Sequence, residues 1–430
     1  MAAGGTGGHV YPAIAIADAL REQLGSVSIL FAGTRDRMEW TAVPKAGYAI
    51  SPIWISGFHR RLTLRNMLFP LKVLVSLVQS LALMIRFRPD LVIACGGFVS
   101  GPVGWVAARC GKRLVIQEQN SYPGVTNRML SKDAEMIFTA FEDAADFFPA
   151  EKPIRLTGNP IRTSMQLGDA AEGRKTYGLD PSRPCVLVLG GSGGAREIND
   201  ILLRKLPEIL GRLKMQVIWQ CGPAYIESVQ NRLQVMMNEG VLEAESTKMQ
   251  AEPTQQGDIA EHAHPVATSS IRDLHVSGYL KTIADAYSAA DLVITRAGAG
   301  TCSELMVLGK PALLIPSPNV AGDHQTKNAR SMVAQGAAVM LKESELDDRL
   351  VPTIEDLMQS PERLATLATA ARSVAKPNAA REIAQECLRR LSGGQPSAQQ
   401  EEHAQEQTPA QPKEHTQEQP PAQPEEHTHK

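Results

Sequence analysis

No C-x-x-C pair occurs in this chain of 430 residues, and its six cysteines, Cys95, Cys110, Cys185, Cys221, Cys302 and Cys387, lie far apart. That spacing argues against a disulfide framework or a zinc ribbon and fits buried, reduced thiols in a cytosolic protein. Charge of one sign is also lacking: 44 Lys plus Arg nearly balance 46 Asp plus Glu. No global field therefore points to nucleic acid as a partner. The sequence contains no D-x-D carboxylate pair, so no dedicated metal site and no cofactor are expected. The amino terminus has neither the basic nor the apolar region of a secretory signal, which argues for a cytoplasmic chain. No uncharged apolar run reaches the ~20 residues of a membrane span.

What is present is an ordinary globular composition, 43% hydrophobic and 21% charged, long enough for two or three domains. Short apolar runs alternate with longer helical patterns. The runs are Val27–Phe31, Leu91–Ala94, Leu114–Ile116 and Met136–Phe138, then Val186–Leu189, Val217–Trp219, Leu292–Ile294 and Ala312–Ile315. They are too apolar for strands buried on one side only, so they predict parallel sheets covered by helices on both faces. Each half holds one glycine-rich turn entering a helix, GGTGGH and GGSGGA, as though one architecture occurs twice, with a boundary just after Pro160. From about Gly394 the apolar content collapses and His403, His415 and His427 recur every 12 residues. That Gln, Glu and Pro composition predicts a disordered tail over 394–430. A polar stretch at about 240–270 predicts a long surface loop.

The first turn, Gly4 to His9, feeds a helix that places Pro12 in its opening turn. Glycines there let backbone N–H groups approach an anion, and the helix end adds roughly half a positive charge. The spacing matches neither G-x-G-x-x-G nor a Walker loop. His9 stands at the helix start, where it either acts as a base near neutral pH or caps the turn. The second turn, "VLVLGGSGGAREIN", also spells G-x-S-x-G around Ser192, a hydrolase elbow for which His275 or His324 could serve. That rival leaves the first glycine turn without a role. In "TRAGAGTCSEL" the carboxylate of Glu304 falls in the first turn of a helix, either complementing its dipole or accepting from a sugar's hydroxyl pair. "GDHQTKNA" sets His324 and Gln325 at another loop-to-helix junction. Loops converging at the carboxyl ends of parallel strands are where open sheets bind ligands.

Seven motifs stand in order: "GGTGGHVYPA", "GGFVSGPVG", "EQNSYPGVTNR", "TGNPIR", "LVLGGSGGAREIN", "AYSAADLVITRAGAGTCSEL" and "DHQTKNA". Together they resemble the MurG family, bacterial UDP-N-acetylglucosamine:lipid I N-acetylglucosaminyltransferases, over residues 4 to about 340. The resemblance implies an α/β GT-B fold: two doubly wound Rossmann-like domains facing across a cleft, 1–160 and 161–378, with helix 379–391 returning to the first. It implies two substrates, UDP-N-acetylglucosamine as donor and undecaprenyl-pyrophosphoryl-MurNAc-pentapeptide as acceptor, with cell-wall synthesis and division proteins as candidate partners. By motif position, Ser192 and Gly193 would cradle the diphosphate and Glu304 would hold the ribose. Backbone near Leu280 would read uracil, and Ala299, Gly300, Thr301, Cys302 and Ser303 would line the nucleotide. Gln325, with His324 beside it, would contact the sugar. From the first domain Thr6, Gly7, Gly8, Asn120 and Arg162 would complete the cleft. An α-linked donor and a β-1,4-linked product imply one inverting displacement with no covalent nucleophile, and His9 is the candidate base for the acceptor's 4-hydroxyl.

Three departures qualify that pattern. Gln117 stands where many relatives have histidine, so no catalysis is assigned to it, and Gly193 stands where many have glutamine. The apolar strand before GGTGGH is reduced to Met1 to Ala3, which predicts unpaired ladder groups on its neighbours. The region Phe58 to Pro89 is the most apolar, interrupted by Pro70, Lys72, Ser76, Gln79 and Ser80. With His59, Arg60, Arg61 and Arg65 beside Met67, Leu68 and Phe69, it reads as a surface for an anionic membrane, and the resemblance, through its undecaprenyl-linked acceptor, implies peripheral attachment to the cytoplasmic face of the inner membrane. Two other classes stay open: a different GT-B enzyme of the nucleotide-sugar epimerase type, and an inactive relative with a shortened start.

Overall fold

The apolar runs become strands of two parallel sheets, in a computed structural model that describes residues 1–57, 68–161, 167–191, 193–243 and 271–393. The first half contains β1 (Leu30–Gly33), β2 (Ala49–Pro52), β3 (Leu91–Ala94), β4 (Arg113–Glu118), β5 (Met136–Thr139) and β6 (Ile154–Leu156). The second contains β7 (Cys185–Leu189), β8 (Gln216–Gln220), β9 (Leu274–Ser277), β10 (Leu292–Thr295), β11 (Ala312–Leu314) and β12 (Val339–Met340), in the spatial order β12-β11-β10-β7-β8-β9. The expected boundary after Pro160 falls between β6 and β7. Both sheets belong to one compact unit, Met1–Leu388.

Met1–Ala3 takes the central position of the first sheet, between β1 and β3. Ala2 bridges Ala32 on one side and Ala94 on the other. The Ala2 N–H donates to the Ile93 carbonyl at 2.8 Å, the Cys95 N–H to the Ala2 carbonyl at 2.9 Å, and the Ala32 N–H to the Met1 carbonyl at 2.9 Å. The expected unpaired ladder is therefore corrected at these positions. Three residues suffice because Ala2 and Ala3 are small enough to be enclosed completely between two neighbours. The order becomes β2-β1-(Met1–Ala3)-β3-β4-β5-β6. In each half the first strand is central, the second lies to one side and the fourth to the other, so each sheet has one switch point where connections diverge.

The helix after the first turn is Gly7–Leu24, with Thr6 as an extended N-cap. It starts earlier than the sequence suggests, so Pro12 occupies the second turn and withholds an N–H from the Gly8 carbonyl. Helix Ala379–Leu391 coincides with the expected one. Its Ile383, Ala384 and Cys387 pack with Val10, Ile14 and Phe31 of the first half, and Arg155 pairs with Glu382 at 3.5 Å and Glu386 at 3.8 Å.

Helix Phe69–Phe87 connects β2 to β3 with its polarity reversed. Ser76, Ser80 and Met84 face inward, whereas Leu71, Leu74, Val78, Leu81 and Ile85 form an outward stripe, 44–61% exposed. Each buried serine hydroxyl is satisfied within the helix, Ser76 on the Val73 carbonyl and Ser80 on the Ser76 carbonyl, both at 2.7 Å. The serines that interrupt the apolar run in sequence thus lie on its covered face. By length and composition this helix, at 19 residues, could cross a membrane.

Candidate active site

The first glycine turn is held by a buried carboxylate. Glu39 is fully enclosed and accepts from the Gly5 N–H at 3.1 Å, the Thr34 N–H at 3.1 Å and the Thr34 hydroxyl at 2.7 Å. It fastens the turn to the end of β1. Gly97, at φ +78°, lies so near that a Cβ there would stand 2.1 Å from the Gly4 carbonyl oxygen. The N–H groups of Gly7 and Gly8 open the helix and have no partner within it. His9 follows in the same turn, half-buried, with Nδ1 2.7 Å from Gln119 Oε1.

A second buried carboxylate organises the loop after β4. Glu118 accepts from the Asn120 N–H at 3.0 Å, Asn120 Nδ2 at 3.1 Å, the Gly124 N–H at 3.1 Å and Asn127 Nδ2 at 2.8 Å. Four donors supply the hydrogen bonds that a carboxylate removed from water requires. Sequence reading singled out neither Glu39 nor Glu118. The one available signal is an acid directly after an apolar strand in "VIQEQN".

In the second half Gly194, at φ +80°, and Gly222, at φ +98°, approach so closely that a Cβ on Gly222 would stand 2.4 Å from Gly194 Cα. Asn199 of "GGAREIN" is buried and structural, donating to the Cys221 carbonyl at 2.8 Å and accepting from Trp219 Nε1 at 3.2 Å. Gly193 lies exposed at the tip of the turn. Ser192 and Arg162 lie outside the described residues, as do His59, Arg60, Arg61, Arg65 and Met67.

Helix Ala299–Leu308 begins at the N-cap Gly298 without a side-chain cap. The N–H groups of Ala299, Gly300 and Thr301 precede the first intrahelical bond, from Cys302 to the Gly298 carbonyl at 2.9 Å. Cys302 and Ser303 turn inward. Burial pushes the Cys302 thiol up to about 12, and the Ser303 hydroxyl bonds the Ala299 carbonyl at 2.9 Å. Glu304 is half-buried and accepts from Tyr287 at 3.1 Å; burial and that carboxylate raise the Tyr287 phenol well above its usual range. The Leu280 N–H donates to Gln220 Oε1 at 3.0 Å. Gln325 accepts from the Ser317 N–H at 2.9 Å. It opens helix His324–Ala334 beside His324, just after Gly322 and Asp323, both left-handed at φ +65° and +53°. His275 sits inside β9 with its ring 4.8 Å from that of Tyr177, a packing position.

The two halves meet at Asn328, which is fully buried in helix His324–Ala334. Its Oδ1 accepts from the Ser121 N–H at 2.9 Å and the Ser121 hydroxyl at 3.0 Å. Its Nδ2 donates to the Ala297 carbonyl at 3.1 Å and to Asn120 Oδ1 at 3.3 Å. Lys327 stands over the Tyr122 ring at 3.0 Å from its centroid. A polar path therefore runs from His9 through Gln119 and the Asn120–Ser121 backbone to Asn328 and Ala297, two residues before helix Ala299–Leu308. Among the described residues no group of three or more His, Cys, Asp or Glu could hold a metal ion.

Two family models match the chain: the glycosyltransferase family 28 N-terminal domain over residues 1–139 and the family's C-terminal domain over residues 185–387. Among curated relatives, a protein of Flavobacterium psychrophilum is 40% identical over 391 residues, covering 90% of this chain and 96% of the relative. One of Salinibacter ruber is 42% identical over 388 residues, covering 90% and 95%. Both are named UDP-N-acetylglucosamine–N-acetylmuramyl-(pentapeptide) pyrophosphoryl-undecaprenol N-acetylglucosamine transferase. The solved structure of Acinetobacter baumannii MurG is 28% identical with TM-score 0.65, covering 90% of this chain and 97% of its own. A putative UDP-N-acetylglucosamine 2-epimerase of Listeria monocytogenes shares the fold alone, at 15% identity and TM-score 0.60.

Proposed function

This chain belongs to glycosyltransferase family 28, and from that premise we infer that it catalyses the reaction for which its relatives are named. N-Acetylglucosamine passes from UDP-N-acetylglucosamine to the muramyl sugar of the undecaprenyl-linked acceptor lipid I, giving lipid II for peptidoglycan synthesis. The observation that carries the site assignment is the Asn328 junction, which brings a glycine-lined helix start from each half to one set of loops. We propose that the donor lies on the second half. The N–H groups of Ala299, Gly300 and Thr301 and the turn around Ser192 and Gly193 take the diphosphate, and Glu304 takes the ribose hydroxyls. The Leu280 carbonyl faces the base, and Gln325 and His324 face the sugar.

The first half brings the acceptor. Its diphosphate lies near Thr6, Gly7, Gly8, Asn120 and Arg162, and its C4 oxygen attacks C1 of the donor sugar. The bond from C1 to the β-phosphate oxygen breaks with its electron pair on UDP, and the hydroxyl proton passes to His9. Backbone donors already aimed at the diphosphate stabilise its growing charge without reorganising. The test is UDP release that depends on added lipid I. Release with donor alone, or turnover only of donor epimers, overturns this assignment in favour of the epimerase class.

We further propose that the enzyme sits peripherally on the cytoplasmic face of the inner membrane through helix Phe69–Phe87. A contiguous outward stripe of five aliphatic residues, with exposed Trp105 on the neighbouring helix and Arg86 and Arg88 at its end, fits an interfacial surface. Replacing Leu74, Val78 and Leu81 by glutamate abolishes co-sedimentation with anionic liposomes, and replacing Arg60, Arg61 and Arg65 by glutamate does the same. Unchanged binding in both variants overturns the proposal.

A further inference from the structure

We propose that Gln119 is a positioning residue that fixes the tautomer of His9, holding the ring proton on Nδ1 and leaving Nε2 as the basic nitrogen. This inference rests on the reading of His9 as the base. A glutamine amide can face a histidine with either end, so its orientation must come from its other contacts. Here they leave one choice. Gln119 is 1% exposed, and its Nε2 lies 2.8 Å from the Cys95 carbonyl and 3.0 Å from the Gln117 carbonyl, and also bonds Gln117 Oε1. Three acceptors surround that end of the amide. Reversing it would set an oxygen against three oxygens, so Nε2 stays there and Oε1 faces His9.

An amide oxygen only accepts, so the bond at 2.7 Å requires hydrogen on His9 Nδ1. A neutral imidazole carries one ring hydrogen, and Nε2 therefore keeps its lone pair. The surroundings enforce the contact. Gly96, at φ +91°, leaves room for the ring, since a Cβ there would stand 2.9 Å from His9 Nδ1. Gln117 is also fully buried, and its Nε2 donates to the Glu118 carbonyl at 3.2 Å, which keeps its oxygen toward Gln119. The glutamine to which sequence reading gives no catalysis thus orients the one that orients His9.

The tautomer is read directly by two-bond 1H–15N correlation on the full chain with labelled histidine, His9 being assigned by its absence in His9→Ala. The wild type at alkaline pH is expected to show the Nδ1–H form. Gln119→Leu is expected to shift His9 toward the Nε2–H form and to lower kcat at least about tenfold, part of the 10²–10⁴-fold that a general base contributes, with the KM for UDP-N-acetylglucosamine unchanged. An Nε2–H ring in the wild type, or full kcat in Gln119→Leu, overturns the inference; if Gln119→Leu does not fold, the wild-type spectrum decides it. An Nδ1–H ring together with wild-type kcat in His9→Ala overturns instead the reading of His9 as base and leaves the tautomer assignment standing.

Discussion

The two halves share a sheet plan and a glycine turn, yet they spend their glycines differently. In the first half the close contact, Gly4 against Gly97, joins the loops after the central strand and β3, on the two sides of the switch point. In the second, Gly194 meets Gly222 after β8, on the side away from the switch point between β7 and β10. A Cβ on Gly191, Gly193 or Gly300 would meet nothing within 4 Å, whereas one on Gly4, Gly5, Gly7, Gly96 or Gly97 would meet neighbours at 3.2 Å or less. The glycines beside His9 are hemmed in by their neighbours, whereas Gly191, Gly193 and Gly300 of the second half border open space. Duplicated architecture thus serves two ends, a rigid mount for a side chain and, on the proposed reading, an open seat for the donor.

That contrast breaks first at His9. His9→Ala is expected to lower kcat on lipid I by roughly 10²-fold or more while the affinity for UDP, measured by calorimetry, stays unchanged. Wild-type turnover removes His9 from the role. Gly97→Ala adds an overpacked contact at a left-handed residue and is expected to cost about 2–3 kcal/mol in denaturant unfolding. A cost near zero there shows the first switch point to be looser than its distances indicate.

Asn328→Ala leaves the Ser121 N–H and the Ala297 carbonyl without their partner. It is expected to cost about 1–3 kcal/mol of stability and to raise the KM for both substrates, which steady-state kinetics will read. Gly300→Ala sharpens the comparison from the other side. In a helix with open space it is expected to gain about 0.5–1 kcal/mol, yet to raise the KM for the donor by crowding its seat. The smallest effect concerns pH. Burial holds the His275 imidazole below its ordinary range. Its contribution to stability is complete above the unfolded value of about 6.5 and is lost as pH falls through the lower folded value. His275→Phe is expected to flatten the decline in unfolding free energy across that acidic window.

The inner strands are legible in the sequence because both faces are buried and the runs are continuously apolar, as in Cys185–Leu189 and the Val217–Trp219 part of β8. The four strands that escape notice, β2, β6, β9 and β12, are the edges of the two sheets and are only partly buried. Helix Ala379–Leu391 is expected from the family resemblance rather than from its period. Pro12 misleads, since a favourable N-terminal position is the rule for proline and this one lies a turn further in. Motifs locate the glycine turns and Asn120, Glu304 and Gln325. They contain Gln119 and Asn328 without revealing what these do, and they miss Glu39; the partners of Glu39, Gln119 and Asn328 lie 34, 110 and 207 residues away and meet only when the sheets are assembled.

Helix Phe69–Phe87, with serines inside and leucines outside, has a consequence for how encounters occur. Its stripe, from Leu71 to Ile85, runs along about 21 Å of helix, near 1.5 Å per residue. A protein that rests this edge on a bilayer shares one plane with a polyprenyl-tethered acceptor, so the search for it becomes lateral rather than volumetric. Turnover then follows the surface density of the acceptor rather than its bulk concentration, and dilution with inert lipid slows the reaction even when the total amount of every reactant is held fixed.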